Sequence, residues 1–190
     1  MQKLIFIDTE TTGTDREKHE IVQFAAIITS DDATEVLDEI NISVIPELID
    51  NIDLKAIEVC HKTVDDLLAN QYTMREAHHI ICEWLSKHVD RYNRKDKLQF
   101  IAYNSRFDED FVRKMFERCG DQYYGSWFWN PSICVMNEVA FLARNHRHKL
   151  PNFRLCSICE FLDIEFNEEE DAHDALYDVH KTIDVFKKLI

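Results

Sequence analysis

Residues 4–13 read Leu4-Ile5-Phe6-Ile7-Asp8-Thr9-Glu10-Thr11-Thr12-Gly13: four apolar residues, two acids separated by one position, then a turn. The unbroken apolar run predicts a strand buried on both faces, because a half-buried strand would alternate with polar residues. Side chains alternate along a strand, so Asp8 and Glu10 share one face at its mouth. Two carboxylates that close repel each other and lose solvation, which is unfavourable unless a cation neutralises them. Alone, a D-x-E of this kind reads as a surface turn after an edge strand. Further acids in similar settings change the reading. Asp108 follows a second apolar run, Phe100-Ile101-Ala102-Tyr103, and His173 precedes Asp178 by five residues. Four acids and one histidine make a site for two hard divalent cations, Mg²⁺ or Mn²⁺, and a proton acceptor.

Working outward, Ile21–Ile28 predicts a second long apolar strand and Val36–Ile45 a third. Gln99–Asn104 is expected to be a fourth and Trp127–Trp129 a short fifth. Two short helices are expected between Asn51 and Asn70, one capped by Thr63-x-x-Asp66. Met74–Val89 has apolar residues at helical spacing, as do Asp108–Arg118, Ile133–Ala143, Leu155–Leu162 and the stretch from Asp174 to the end. Strands first, with helices between and after them, indicate an α/β sheet covered on both faces.

The 190 residues suit one domain, 1–190, able to bury roughly 70% of the surface of its unfolded chain. Three Gly and three Pro leave no room for a Gly-rich phosphate cradle. No run approaches a membrane span, and strand residues begin almost at the N-terminus, so a cytoplasmic protein with reduced thiols is expected. Of the six cysteines, Cys156 and Cys159 lie in an apolar helical pattern and are expected to pack in the core. His78 and Cys82 share one helix face and receive the same reading. A net charge of −14 argues against broad electrostatic binding of nucleic acid. It permits a protein that holds nucleic acid only at a chain end and relies on a tether to concentrate it.

Three segments carry a family resemblance. F-I-D-T-E-T-T-G (6–13), Y-N-S-R-F-D-E-D-F (103–111) and A-H-D-A-L-Y-D (172–178) resemble, in order and spacing, the motifs of the DEDDh exonuclease superfamily. The chain is most similar to the epsilon-type proofreading 3′–5′ exonucleases of bacterial replicative polymerases and their phage relatives. Residues 57–63 and 149–155 resemble the segments that precede the second and third motifs there. The resemblance implies a ribonuclease H-like fold: a five-stranded mixed sheet, its first three strands antiparallel, with helices on both faces. It also implies that Asp8 bridges two metals, that Glu10 and Asp178 complete the first, and that Asp108 supports the second.

His173 is then the general base, since imidazole titrates near working pH. Residues five apart diverge by about 140° around a helix. His173 therefore belongs in the loop before the helix, with Asp174 expected as its cap in preference to a competing role as a metal ligand. Tyrosine-based relatives carry Tyr four residues before the last Asp; here that position is Asp174, so the histidine class fits. Tyr177 is left to packing or to substrate. Thr11 and Thr12 are candidates for holding the terminal nucleotide, and Phe107 for stacking on a base or packing at a helix start. Asn104 is a weaker candidate, expected to secure the turn beside Asp108. The basic cluster Arg144–Lys149 is a loop that could guide strand phosphates.

The expected activity is removal of nucleoside 5′-monophosphates from the 3′ end of single-stranded or frayed DNA. Trimming of RNA ends is the nearest alternative, and a non-cleaving module associated with a polymerase is another. A DNA polymerase is the expected partner if there is one. No exposed apolar stripe marks an interface, so monomer and homodimer both stand.

Overall fold

The computed structural model describes residues 2–59, 62–167 and 174–190. Among these, six strands form one sheet: β1 Lys3–Thr11, β2 Ile21–Thr29, β3 Val36–Ile45, β4 Tyr72–Thr73, β5 Leu98–Ala102 and β6 Ile133–Cys134. The helices are α1 Leu54–Val59, α2 Val64–Leu68, α3 Met74–Ser86, α4 Ser105–Arg118, α5 Val135–Leu142, α6 Leu155–Phe161 and α7 Ala175–Lys187.

The strand order is β4-β3-β2-β1-β5-β6. β1 pairs antiparallel with β2 and parallel with β5, and β2 pairs antiparallel with β3, giving the expected mixed sheet. The differences lie at its edges. β4 adds a sixth, two-residue strand beside Val44 and Ile45. The strand beyond β5 is Ile133–Cys134, expected to be helical, while Phe128 of the expected strand makes only a single bridge to Leu98. Trp127 is instead anchored in the core. A two-residue strand has no periodicity to read, and Trp-Phe-Trp packs as well from a bridge as from a strand.

The alternation of β1 divides the core in two. Ile5 and Ile7 pack with α3 and α4, together with Phe24, Phe100 and Trp127. Leu4 and Phe6 pack on the opposite face with the helices α5 to α7. Phe6 meets the ring of Phe186 edge-on at 5.2 Å, tying the end of α7 to the central strand. All nine residues of β2 are buried, which explains its near-continuous apolar sequence. α2 and α3 each begin with a complete capping box, from Thr63 with Asp66 and from Thr73 with Glu76. Cys159 is buried as expected. No helix among the described residues is long and apolar enough to cross a membrane.

Candidate active site

The same alternation aims the first motif. Asp8 and Glu10 continue the Leu4–Phe6 face toward α7, whereas Thr9 follows Ile5 and Ile7 toward α4. α7 meets the two acids from across the gap. Its cap is Asp174, whose Oδ1 accepts the amides of Leu176 and Tyr177, each at 3.1 Å. That cap starts the helix so that Asp178 falls in its first turn. Asp8, Glu10 and Asp178 then each offer an oxygen within 4.8 Å of the others.

Asp108 approaches from α4, also in a first turn, and is 3% exposed. Its Oδ1 accepts the Thr9 amide at 3.0 Å and the Thr9 hydroxyl at 2.9 Å. α4 begins three residues earlier than its apolar pattern indicates, which is what brings Asp108 inside the helix.

The electrostatics show the strain of collecting acids. Burial raises Asp8 well above the usual carboxylate range, and the charges of Asp108, Glu10 and Asp178 add to it. Burial pushes Asp178 up to about 7, with Glu10 and Asp174 contributing. Asp108 is likewise pushed to about 7 by burial, although the bonds from Thr9 pull the other way. The first-turn positions of Asp108 and Asp178, near the positive ends of their helices, do not offset this.

The residues fit a divalent cation. The donors are all carboxylate oxygens, the set preferred by hard ions such as Mg²⁺ and Mn²⁺. Oδ1 of Asp178 is buried and accepts no hydrogen bond among the described residues. A buried carboxylate oxygen without a partner is unfavourable, and a cation shared with Asp8 and Glu10 would satisfy it.

The other candidates are distributed as follows. Thr11 and Thr12 are both buried: the Thr11 hydroxyl donates to the Gly13 carbonyl at 2.7 Å, and the Thr12 hydroxyl accepts the Glu20 amide at 2.9 Å. They hold the turn after Glu10. Phe107 is half-buried and packs against Phe111, the ring centroids 4.8 Å apart and the planes tilted by 44°. Asn104 is exposed; its carbonyl, not its side chain, closes the turn by accepting the Phe107 amide. Tyr177 packs on Phe166, and its hydroxyl accepts the Asn167 amide. His173 lies outside the described residues. Arg144–Lys149 falls in a 3-10 helix spanning Ala143–Lys149 rather than in a loop.

An open cleft of ≈ 490 Å³ lies between the segment after the first motif and the start of α4, lined by Thr14, Asp15, Arg16, Asn104, Arg106, Phe107, Asp110 and Phe111. Its two arginines, Arg16 and Arg106, are matched by Asp15 and Asp110, and Arg16 pairs with Asp110 at 2.8 Å; sequence reasoning missed both arginines. Isolated arginines in an acidic chain give no signal; only the fold brings residues 16 and 106 to one cleft. Gln23 was missed as well. It lies opposite Glu10 on β2 and donates to the cap residue Asp174. Here a signal existed: it is the one polar residue between Ile21 and Ile28.

The Exonuclease family model matches residues 5–186. The PolC-type DNA polymerase III of Staphylococcus haemolyticus is 23% identical over 186 residues, which cover 98% of this chain and 11% of the polymerase. Exonuclease I of E. coli in complex with a dT13 oligonucleotide superposes with a TM-score of 0.80 at 23% identity, over 100% of this chain and 41% of that one. A zinc-bound exonuclease I–ssDNA complex gives 0.78 at 24% identity, over 98% and 40%. This chain therefore spans a minor part of each relative, and the structural likenesses establish a shared ribonuclease H-like fold. A family model matched along nearly the whole sequence settles the rest: the chain belongs to the exonuclease family.

Proposed function

We propose that the protein is a 3′–5′ exonuclease that hydrolyses phosphodiester bonds at the 3′ end of single-stranded or frayed DNA and releases nucleoside 5′-monophosphates. The observation that supports this most directly is the convergence of Asp8, Glu10 and Asp178 within 4.8 Å beside a buried oxygen of Asp178 that has no hydrogen-bond partner among the described residues. Two divalent cations, Mg²⁺ or Mn²⁺, would activate a water and stabilise the leaving 3′-oxygen. In this reading Asp8, Glu10 and Asp178 would hold one ion, and Asp108, directly or through water, would support a second together with Asp8. His173 takes the proton from the attacking water. Phe107 and Asn104, on the cleft wall, meet the terminal nucleotide, and Thr11 and Thr12 fix the turn beside it.

DNA is favoured by the relatives: exonuclease I is described bound to dT13, and the PolC-type relative is a DNA polymerase. An acidic chain grips DNA weakly on its own, so a polymerase that holds the 3′ end nearby is the fitting partner. We assign residues 1–190 to one exonuclease domain, acting in the cytoplasm with free thiols, as monomer or homodimer.

The test is digestion of matched DNA and RNA oligonucleotides, labelled at the 5′ end, with Mg²⁺ or Mn²⁺. Stepwise shortening of DNA from the 3′ end is expected, faster than that of RNA and abolished by Asp8→Asn. His173→Ala should slow it by roughly 10²–10⁴-fold. Faster loss of RNA would favour the exoribonuclease reading. Intact 3′ ends under every condition would favour a non-cleaving module.

A further inference from the structure

A second cluster of metal-binding side chains lies away from the acids. His78 and Cys82 stand one turn apart on α3, and Asp121 follows the end of α4. Nε2 of His78 lies 3.2 Å from Oδ2 of Asp121 and 3.5 Å from Sγ of Cys82. The three donor atoms all fall within 4.8 Å of one another. The sequence pairs His78 with Cys82 but cannot supply Asp121, which arrives only through the packing of α4 on α3.

Both contacts meet the same imidazole nitrogen. A neutral imidazole nitrogen is either a donor or an acceptor. If Nε2 donates to Asp121 it has no lone pair for the thiol, and if it accepts from the thiol it repels the carboxylate. A Cys-His-Asp relay would engage the two nitrogens separately, as catalytic triads do, so the cluster is not one. It has the form of three donors turned toward one point. We propose that His78, Cys82 and Asp121 bind a zinc-like divalent cation, with water in the fourth position.

The distances agree with this. Tetrahedral zinc with ordinary bond lengths puts N and O about 3.4 Å apart and N and S about 3.6 Å apart. The surroundings hold the ligands in place. Oδ1 of Asp121 accepts the Tyr123 amide at 2.7 Å, leaving Oδ2 toward the histidine, and the His78 ring stands edge-on to Phe116 at 4.6 Å. The side chains of His78 and Asp121 are 15% and 13% exposed, so a water can reach the fourth position. Burial holds His78 below its usual range, in the neutral form that ligates a metal, and pushes the Cys82 thiol up to about 12, so the cation must displace the thiol proton as it binds.

The donor set also separates the two sites. Nitrogen and sulfur favour zinc and related ions, whereas the carboxylates at β1 and α7 favour Mg²⁺ or Mn²⁺. Zinc here would clamp α3 to the far end of α4, roughly 15 Å along the helix from Asp108.

The test is a Co²⁺ titration of the metal-stripped full chain in excess Mg²⁺, which occupies the acidic site. A thiolate-to-cobalt absorption saturating at one equivalent and displaced by Zn²⁺ is expected. It should survive Asp8→Asn and Cys119→Ser, vanish in Cys82→Ser, and weaken roughly a hundredfold in Asp121→Asn. Zinc should also raise the thermal midpoint of the wild type. No thiolate band in the wild type would mean a hydrogen-bonded cluster only and would overturn the proposal, as would a band that persists in Cys82→Ser. The wild-type titration decides even where a variant folds poorly.

Discussion

Gln23 Nε2 donates to Asp174 Oδ2 across 2.8 Å, joining the sheet to a helix cap 151 residues later in the chain. The same Nε2 donates to Asn41, and Oε1 accepts from Lys62. Asp174 divides its oxygens, one for the helix amides and one for Gln23. The first turn of α7, with Asp178, is thereby set against the strand end that holds Glu10. Gln23→Leu should leave Asp174 Oδ2 and the Lys62 ammonium short of partners, costing about 1–3 kcal/mol. Urea denaturation measures this, and a change under about 0.5 kcal/mol would show that the bridge does not position the helix.

Thr9→Val keeps the side-chain volume close but removes the hydroxyl that donates to Asp108. The lost bond is worth about 1 kcal/mol of stability. The second effect has a definite sign. Thr9 opposes the rise in the Asp108 pKa, so its removal pushes that carboxyl further up and makes it harder to ionise. Mg²⁺ affinity in the variant should need higher pH to reach its plateau. A titration by calorimetry between pH 6 and 8, a range of about two units around the ordinary working pH, checks it. An unchanged profile would separate Asp108 from the metal.

Much of this site was legible because its parts are local. A four-residue apolar run ending in Asp8 and Glu10 is a strand mouth whatever surrounds it, and Asp174 four positions before Asp178 is a cap. The Thr63–Asp66 capping box is equally local. What was not legible depends on elements meeting. Gln23 and Arg16 matter through partners dozens of residues away, Arg106 meets Arg16 only across the cleft, and Asp121 completes its cluster only because α4 ends beside α3. The edge strand β6 escaped because two residues cannot display a period.

Asp178 gives the apo protein a pH dependence of stability. Its carboxyl titrates near 7 in the folded chain and near the ordinary carboxylate value when unfolded, so the native state holds the extra proton between about pH 4 and 7. Stability therefore falls as pH rises through that window, and the loss is complete above it. Without metal, Asp178→Asn should be more stable than the wild type at pH 8 and no more stable at pH 4. Adding Mg²⁺ or Mn²⁺ should stabilise the wild type at pH 8 and the variant much less. Chemical denaturation at the two pH values, with and without cation, provides the comparison. A wild type that outlasts the variant at pH 8 in chelator would contradict the assignment.

Arg118, in the last turn of α4, holds the segment that follows the first motif. It donates to the carbonyls of Arg16, Glu17 and His19 and faces the buried Glu20, whose Oε2 accepts the amides of Glu47 and Leu48 at 2.7 Å. Arg118→Leu would leave the Glu20 charge without its cation and three carbonyls without a donor, costing about 3 kcal/mol. Arg118→Lys should recover only part of this, since an ammonium lacks the planar fork that spans several carbonyls. Because Asp15 and Arg16 line the cleft, KM for an oligonucleotide should rise more than kcat falls. If the leucine variant unfolds at the wild-type midpoint and keeps its KM, the clamp is an incidental surface contact.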